Sequence, residues 1–97
     1  MASNLPATRD VRGETDLIVR QVLQDVLGLS AERAAELQAD SGLFGHLPEL
    51  DSMAVAGLLT ELEDRLDILI EDDEVDGEML ETFGALLDFV AEKRAAG

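Results

Sequence analysis

The sequence lacks cysteine, tryptophan and tyrosine, and it contains only three phenylalanines. Without cysteine there can be no disulfide, no thiolate metal site and no cysteine nucleophile, so any thiol chemistry requires a thiol supplied from outside. Without the larger aromatic residues, the core has to be mainly aliphatic. There is also no apolar run long enough to span a bilayer and no signal-like apolar stretch near the first residue. We therefore expect a soluble, cytoplasmic protein.

Basic residues are scarce as well. Seven Lys and Arg stand against 22 Asp and Glu, which gives a formal net charge of −15. This charge repels nucleic acid and anionic membrane surfaces, so we expect the protein to bind neither. It attracts Lys- and Arg-rich protein surfaces and accelerates their encounter. Because 46% of the 97 residues are hydrophobic, the acidity does not imply disorder, and the length predicts one domain, which we expect to be monomeric.

Apolar residues recur with helical spacing and do not alternate with the period of a strand, which predicts an all-α bundle of three long helices and a short one. Residues 1–13 show no period and are predicted to be a flexible N-terminal tail, with the domain at 14–97. The first long helix is expected to begin at Thr15, an N-cap residue type, and to end at Gly28. Its predicted core residues are Ile18, Val22, Leu23, Val26, Leu27 and Leu29.

The middle of the chain predicts a short helical turn over Ser30–Leu37 and then an ordered loop over Asp40–Leu50, whose apolar residues should pack on the core. The second long helix is expected to begin at Asp51-Ser52. A short helix is predicted around Asp76–Glu81, and the last helix near Thr82. Predicted core residues of the two long helices are Val55, Leu58, Leu59, Leu62 and Leu66, followed by Phe83, Leu86, Leu87 and Val90.

The triplet Asp51-Ser52-Met53 is the most informative motif, because it follows a long apolar loop and opens a helix. A serine there is held at the surface beside backbone N–H groups that have no partner in the helix. The triplet resembles the Asp-Ser-Leu attachment motif of acyl carrier proteins, and the resemblance extends from about Thr15 to Ala95. It covers the helix order, the long first loop and the acidic second helix.

The resemblance implies a carrier and not an enzyme. In that family a phosphopantetheinyl transferase attaches 4′-phosphopantetheine from coenzyme A to the serine, here Ser52. A loading ligase then places an acyl or aminoacyl group on the thiol of the arm, and the carrier delivers this thioester to a downstream acyltransferase or synthase with a basic surface. By resemblance, Asp51 helps to present the serine to the transferase and its metal ion, and Met53 is an apolar contact for partners.

The sequence departs from the carriers of fatty acid synthesis at two positions. Residues two and five after the serine, usually acidic in that group, are Ala54 and Gly57. The expected recognition face is therefore reduced to Glu61, Glu63 and Asp64. The phrase LPELDSMAV resembles carriers associated with exopolysaccharide and exosortase-type gene clusters, which favours a specialised pathway.

Other interpretations of these motifs stay open at this stage. Ser52 can be a simple helix cap, and the chain an acidic helical interaction module without a prosthetic group. Asp72, Glu74, Asp76 and Gly77 resemble the first half of a calcium-binding EF-hand loop. That pattern requires a carboxylate at the twelfth position, which is Phe83 here, so we expect no specific metal site.

A hydrolase is the least supported alternative. The chain has a single histidine, His46, which lies six residues before Ser52 on the other side of a proline. A Ser-His-Asp triad would need these two residues and an acid to meet in space, and no oxyanion-hole loop is visible in the sequence. We therefore expect no catalytic residues.

Overall fold

The computed structural model describes residues 11–96, and four α-helices make up most of them. They are α1 (Val11–Leu27), α2 (Ala31–Glu36), α3 (Ser52–Leu66) and α4 (Phe83–Ala96). A 3-10 helix, Asp72–Glu74, lies between α3 and α4. The predicted all-α fold of three long helices and a short one is confirmed, and no strand occurs in this part of the chain.

Helix α1 is the centre of the bundle, because it contacts each of the other three α-helices. Its core side is rotated relative to the predicted stripe, since Ile18 and Val26 are only partly buried. In α3, Val55 and Leu59 are likewise only partly buried, whereas all four predicted residues of α4 are in the core. The buried core residues of the three long helices are Val19, Val22, Leu23, Leu27, Leu58, Leu62, Leu66, Phe83, Leu86, Leu87 and Val90.

The start of α1 differs from the prediction. The helix includes residues 11–13, which had been assigned to the tail, and residues 1–10 lie outside the described part of the chain. Thr15 is not an N-cap but a fully buried residue inside the helix. Its hydroxyl donates to the carbonyl of Val11 at 2.7 Å and accepts a hydrogen bond from Arg94. Threonine is a common N-cap residue, but its hydroxyl can also be buried when it has hydrogen-bond partners, as it has here.

Most of the other predicted helix ends are confirmed by the geometry. Gly28 follows α1 with φ of +75°, a conformation that favours glycine. The hydroxyl of Ser30 accepts from the backbone N–H of Arg33 and caps α2, and Thr82 caps α4 in the same way through Ala85. Side-chain oxygens thus satisfy amides that the first turn of a helix leaves unpaired.

The short helix predicted around Asp76–Glu81 is wrong, since these residues form turns. The carboxylate of Asp76 accepts from the amide of Met79 and closes a local turn. The carbonyls of Leu80 and Glu81 accept from amides of the first long loop and not from a helix. The 3-10 helix lies a few residues earlier, in the acidic run.

The loop before α3 is ordered, as predicted, and it is bonded to the start of α4. Four backbone hydrogen bonds of 2.9 Å join residues 39–44 to residues 80–84. Gly84 makes this approach possible, because a Cβ there would lie 2.7 Å from the carbonyl oxygen of Ala39. Leu43 and Leu50 are buried in the core, whereas Phe44 is exposed. These contacts fix the position of the loop that leads into α3.

Candidate functional site

Ser52 is the first residue of α3, and its side chain is exposed. Asp51, not Ser52, is the N-cap, because its Oδ1 accepts from the amide of Ala54 at 2.8 Å. The hydroxyl of Ser52 makes no hydrogen bond to any residue in 11–96. The interpretation of Ser52 as a helix cap is therefore wrong. The serine oxygen is presented at a helix end whose first amides, those of Ser52 and Met53, have no acceptor within the helix.

The segment that precedes the serine is held in place on both sides. Leu50 is buried in the core, and the carboxylate of Glu49 forms an ion pair of 2.6 Å with the guanidinium of Arg33 on α2. The hydrogen bond from Arg33 lowers the pKa of Glu49 below its ordinary value, and Glu49 in turn raises the pKa of Arg33. The start of α3 is therefore fixed relative to both the core and α2.

Three clefts meet at Ser52. One lies between the loop and α3 and is lined by His46, Pro48 and Asp51. A second, more apolar cleft is bounded by Phe44, Val55 and Leu80. The third follows α3 towards Glu63, holds about 470 Å³, and is here called the α3 cleft. A long flexible group on the serine oxygen therefore has room to lie along the surface.

No lysine or arginine among the described residues lines any of the three clefts. A phosphodiester on Ser52 would therefore face the free amides and the positive end of the α3 dipole, not a basic side chain. The exposed oxygen, the unpaired amides and the open clefts fit a covalent phosphopantetheine arm. The residues that would hold the arm are Ser52 itself and the amides of Ser52 and Met53.

Exposed apolar side chains surround the serine. Met53 is 84% exposed, which is consistent with its predicted place at a partner contact. Phe44 is 43% exposed and lines two of the clefts at Ser52, although the sequence predicted that it packs on the core. The sequence could not identify Phe44, because the loop pattern does not show which of its apolar residues points outward. Water-exposed apolar groups beside a reactive oxygen are typical of a surface that partners cover.

The three predicted recognition residues of α3 have different environments. Glu61 forms an ion pair of 2.8 Å with Arg65, which also pairs with Asp25 on α1. These hydrogen bonds, the one from Asp25 first, raise the pKa of Arg65. The carboxylate of Glu63 accepts from the amide of Ile70 at 2.7 Å and closes the turn after α3.

Asp64 is exposed and has no ion pair among residues 11–96. Leu69, which is 66% exposed, lines the same shallow surface as Asp64 and was missed by the sequence analysis. Because Leu69 lies beyond the end of α3, the helical spacing of apolar residues does not indicate whether it is exposed. Asp64 is thus the predicted recognition residue whose carboxylate is most available to a partner.

The alternative sites find no support in the geometry. The ring of His46 lies so close to Gly42 that a Cβ there would clash with it, and no hydrogen bond joins His46 to Ser52. Phe83, at the twelfth position of the EF-hand pattern, is 2% exposed in the core. Among residues 11–96, no three potential ligands lie together around one metal position. No described helix is sufficiently long and apolar to cross a bilayer.

Comparisons with known proteins identify the family of the chain. The family model described as "Phosphopantetheine attachment site" matches residues 18–90. Among solved structures, the chain is similar to the holo acyl carrier protein of Nitrosomonas europaea, determined by NMR in solution. The two are 38% identical, the match covers 93% of this chain and 100% of that chain, and the TM-score is 0.71. No curated protein matches the chain.

Proposed function

Because the chain belongs to the phosphopantetheine attachment family, we propose that Ser52 is the residue that bears its prosthetic arm. The chain is an acyl carrier protein, a non-catalytic helical domain that holds acyl groups as thioesters on covalent 4′-phosphopantetheine. The arm supplies the thiol that the cysteine-free sequence lacks. The residues of the chain present the attachment oxygen, cap the helix behind it and offer surfaces to partner enzymes.

The state of the hydroxyl groups carries the assignment of Ser52. Four of the six hydroxyl side chains in residues 11–96 are engaged in hydrogen bonds, namely those of Thr15, Ser30, Ser41 and Thr82. The remaining two are Ser52 and Thr60. Thr60 lies inside α3, where the backbone amides are already bonded within the helix. Ser52 combines a free, exposed hydroxyl with unpaired amides, an arrangement that favours a phosphodiester at this position.

The assignment is tested by incubating the chain with coenzyme A and a promiscuous phosphopantetheinyl transferase. We expect the intact mass of the wild-type chain to rise by one arm. Thr60→Ala, which removes the other free hydroxyl of residues 11–96, should be modified equally well, whereas Ser52→Ala should not be modified. A modified Ser52→Ala chain, or a wild-type chain that gains no mass, would contradict the assignment.

As a carrier, the chain interacts with a transferase and with synthase-type enzymes. We propose that their basic surfaces bind near the end of α3, where Asp64 is unpaired and Leu69 is exposed, and that Met53 contacts them beside the serine. Glu61 is paired with Arg65, which partly neutralises its charge, so its contribution should be smaller than that of Asp64. The loading ligase, the specialised pathway, the monomeric state and the cytoplasmic location stay predictions from the sequence.

This docking surface is tested by charge reversal. Asp64→Lys should slow modification of Ser52 by about 3–10-fold at low salt, because electrostatic attraction mainly raises the rate of encounter. Glu36→Lys changes the net charge equally on exposed α2 and is the matched control. Equal slowing by both variants would show that only the total charge matters.

A further inference from the structure

The α3 cleft follows one face of α3 over three turns. Its lining residues on the helix are spaced at i, i+3, i+4, i+7, i+8 and i+11: Ser52, Val55, Ala56, Leu59, Thr60 and Glu63. With a rise of 1.5 Å per residue, the cleft leads from the attachment oxygen to a point about 16 Å along the helix. Ile70, Asp72 and Val75 form the opposite wall. An extended pantetheine chain is long enough to reach the far end.

The chemistry of the cleft changes along its length. On the α3 side the middle is apolar, with Val55 and Leu59, whereas the opposite wall includes the apolar Val75 and the acidic Asp72. The far end contains the hydroxyl of Thr60 and the half-buried carboxylate of Glu63, one oxygen of which accepts from the amide of Ile70. In the described part of the chain, no lysine or arginine pairs with Glu63 or lines the cleft. The far end is thus negative and accepts hydrogen bonds.

We propose that the α3 cleft receives the loaded arm and that Glu63 selects cargo with a protonated amine, that is, an aminoacyl group, over a plain aliphatic chain. This inference rests on attachment of the arm to Ser52. An ammonium group at the end of the cleft would be attracted by the carboxylate and could donate to Thr60. A hydrocarbon in the same place would displace water from that carboxylate without replacing its hydrogen bonds.

The test compares two cargoes that differ by one amine. The alanyl and propionyl amides of amino-coenzyme A, which cannot hydrolyse as thioesters do, are transferred to the wild-type chain and to two variants. Glu63→Gln removes the charge but keeps an oxygen that can accept from the amide of Ile70. Asp64→Asn removes one charge from the neighbouring residue, which lies outside the α3 cleft.

The melting temperature of the alanyl form should exceed that of the propionyl form by about 2–4 °C in the wild-type chain, as expected for one ion pair near the surface. The amide NMR signal of Ile70 should differ between the two forms. Both differences should persist in Asp64→Asn and disappear in Glu63→Gln.

Two other outcomes would overturn the inference. If the two wild-type forms melt together, or if the difference persists in Glu63→Gln, Glu63 does not select the cargo. Mass spectrometry of each sample separates this result from a failure of the premise. A wild-type chain that takes up neither cargo would overturn both attachment at Ser52 and the role of the cleft.

Discussion

The hydroxyl of Thr15 accepts a hydrogen bond of 2.9 Å from the guanidinium of Arg94, which is 79 residues further along the chain. Thr15 is fully buried, and its hydroxyl also donates to the carbonyl of Val11. The same guanidinium reaches the carboxylate of Glu14 at 3.2 Å. This contact joins the first turns of α1 to the last turns of α4.

Thr15→Val should therefore lower the free energy of unfolding by about 1 kcal/mol, the usual net value of a hydrogen bond, because valine keeps the shape but loses the hydroxyl. Urea denaturation measures the change. Arg94→Met and the double variant complete a mutant cycle. If the two single effects simply add, the residues are not coupled, and the contact does not contribute to stability.

Capping and attachment at the start of α3 reside on different residues, so they should be separable. Asp51→Ala should cost about 1 kcal/mol of stability, the ordinary value of an N-cap, whereas Asp51→Asn should retain most of it. Ser52→Ala should unfold at the wild-type urea concentration but fail to accept the arm. Loss of stability in Ser52→Ala comparable to that in Asp51→Ala would show that the serine also supports the helix.

Two of the helical glycines, Gly57 of α3 and Gly84 of α4, should respond oppositely to alanine. A Cβ at Gly57 would lie 3.7 Å from Val26, an ordinary contact, so Gly57→Ala should raise the free energy of unfolding by about 1 kcal/mol. A Cβ at Gly84 would meet the backbone oxygen of Ala39 at 2.7 Å, so Gly84→Ala should lower it by about 1–3 kcal/mol. Thermal unfolding of both variants provides the measurement, and stabilisation of Gly84→Ala would contradict the close approach of the loop.

Glu74 predicts a pH dependence of stability. Its carboxylate pairs with Lys93 at 2.6 Å, and the hydrogen bond from Lys93, then that with the backbone of Glu71, lowers the pKa of Glu74. A carboxyl whose pKa is lower in the folded chain stabilises the fold above its unfolded pKa, and this contribution is lost as the pH falls through the folded value.

The stability difference between wild type and Glu74→Gln should therefore be largest above the ordinary glutamate pKa of about 4.3 and should decrease as the pH falls below it. Urea denaturation on both sides of this pKa measures it. Glu92→Gln, at an exposed residue of α4 without an ion pair in residues 11–96, is the control and should show a smaller, flatter difference. A Glu74→Gln difference that does not change with pH would contradict the role of the ion pair.

The sequence predicted the helices wherever local rules decide them. The cap at Ser30, the left-handed residue Gly28 and the apolar spacing of α4 each act within a few residues, so their outcome can be predicted from neighbours alone. It also predicted Ser52 as the candidate site, because the motif consists of consecutive residues that follow a loop and begin a helix. The family match over residues 18–90 agrees with that pattern.

The failed predictions concern contacts between distant segments. Thr15 was predicted to be an N-cap, but it is buried, and its hydroxyl accepts a hydrogen bond from Arg94 near the other end of the chain. The segment around Asp76–Glu81 forms turns instead of a helix, and the carbonyls of Leu80 and Glu81 accept from amides of the distant first loop. Local propensities are worth a fraction of a kcal/mol per residue, so such contacts override them.

The order of elements, the acidity and the position of the Asp51-Ser52-Met53 motif were determined by the sequence itself, because they follow from residue types and their spacing. Tertiary structure alone decided the partners of the acidic side chains of α3. Glu61 pairs with Arg65, one oxygen of Glu63 accepts from the amide of Ile70, and Asp64 faces solvent. Tertiary structure also aligned Ser52 and Glu63 along one cleft, because that cleft exists only where the segment after α3 folds back beside the helix.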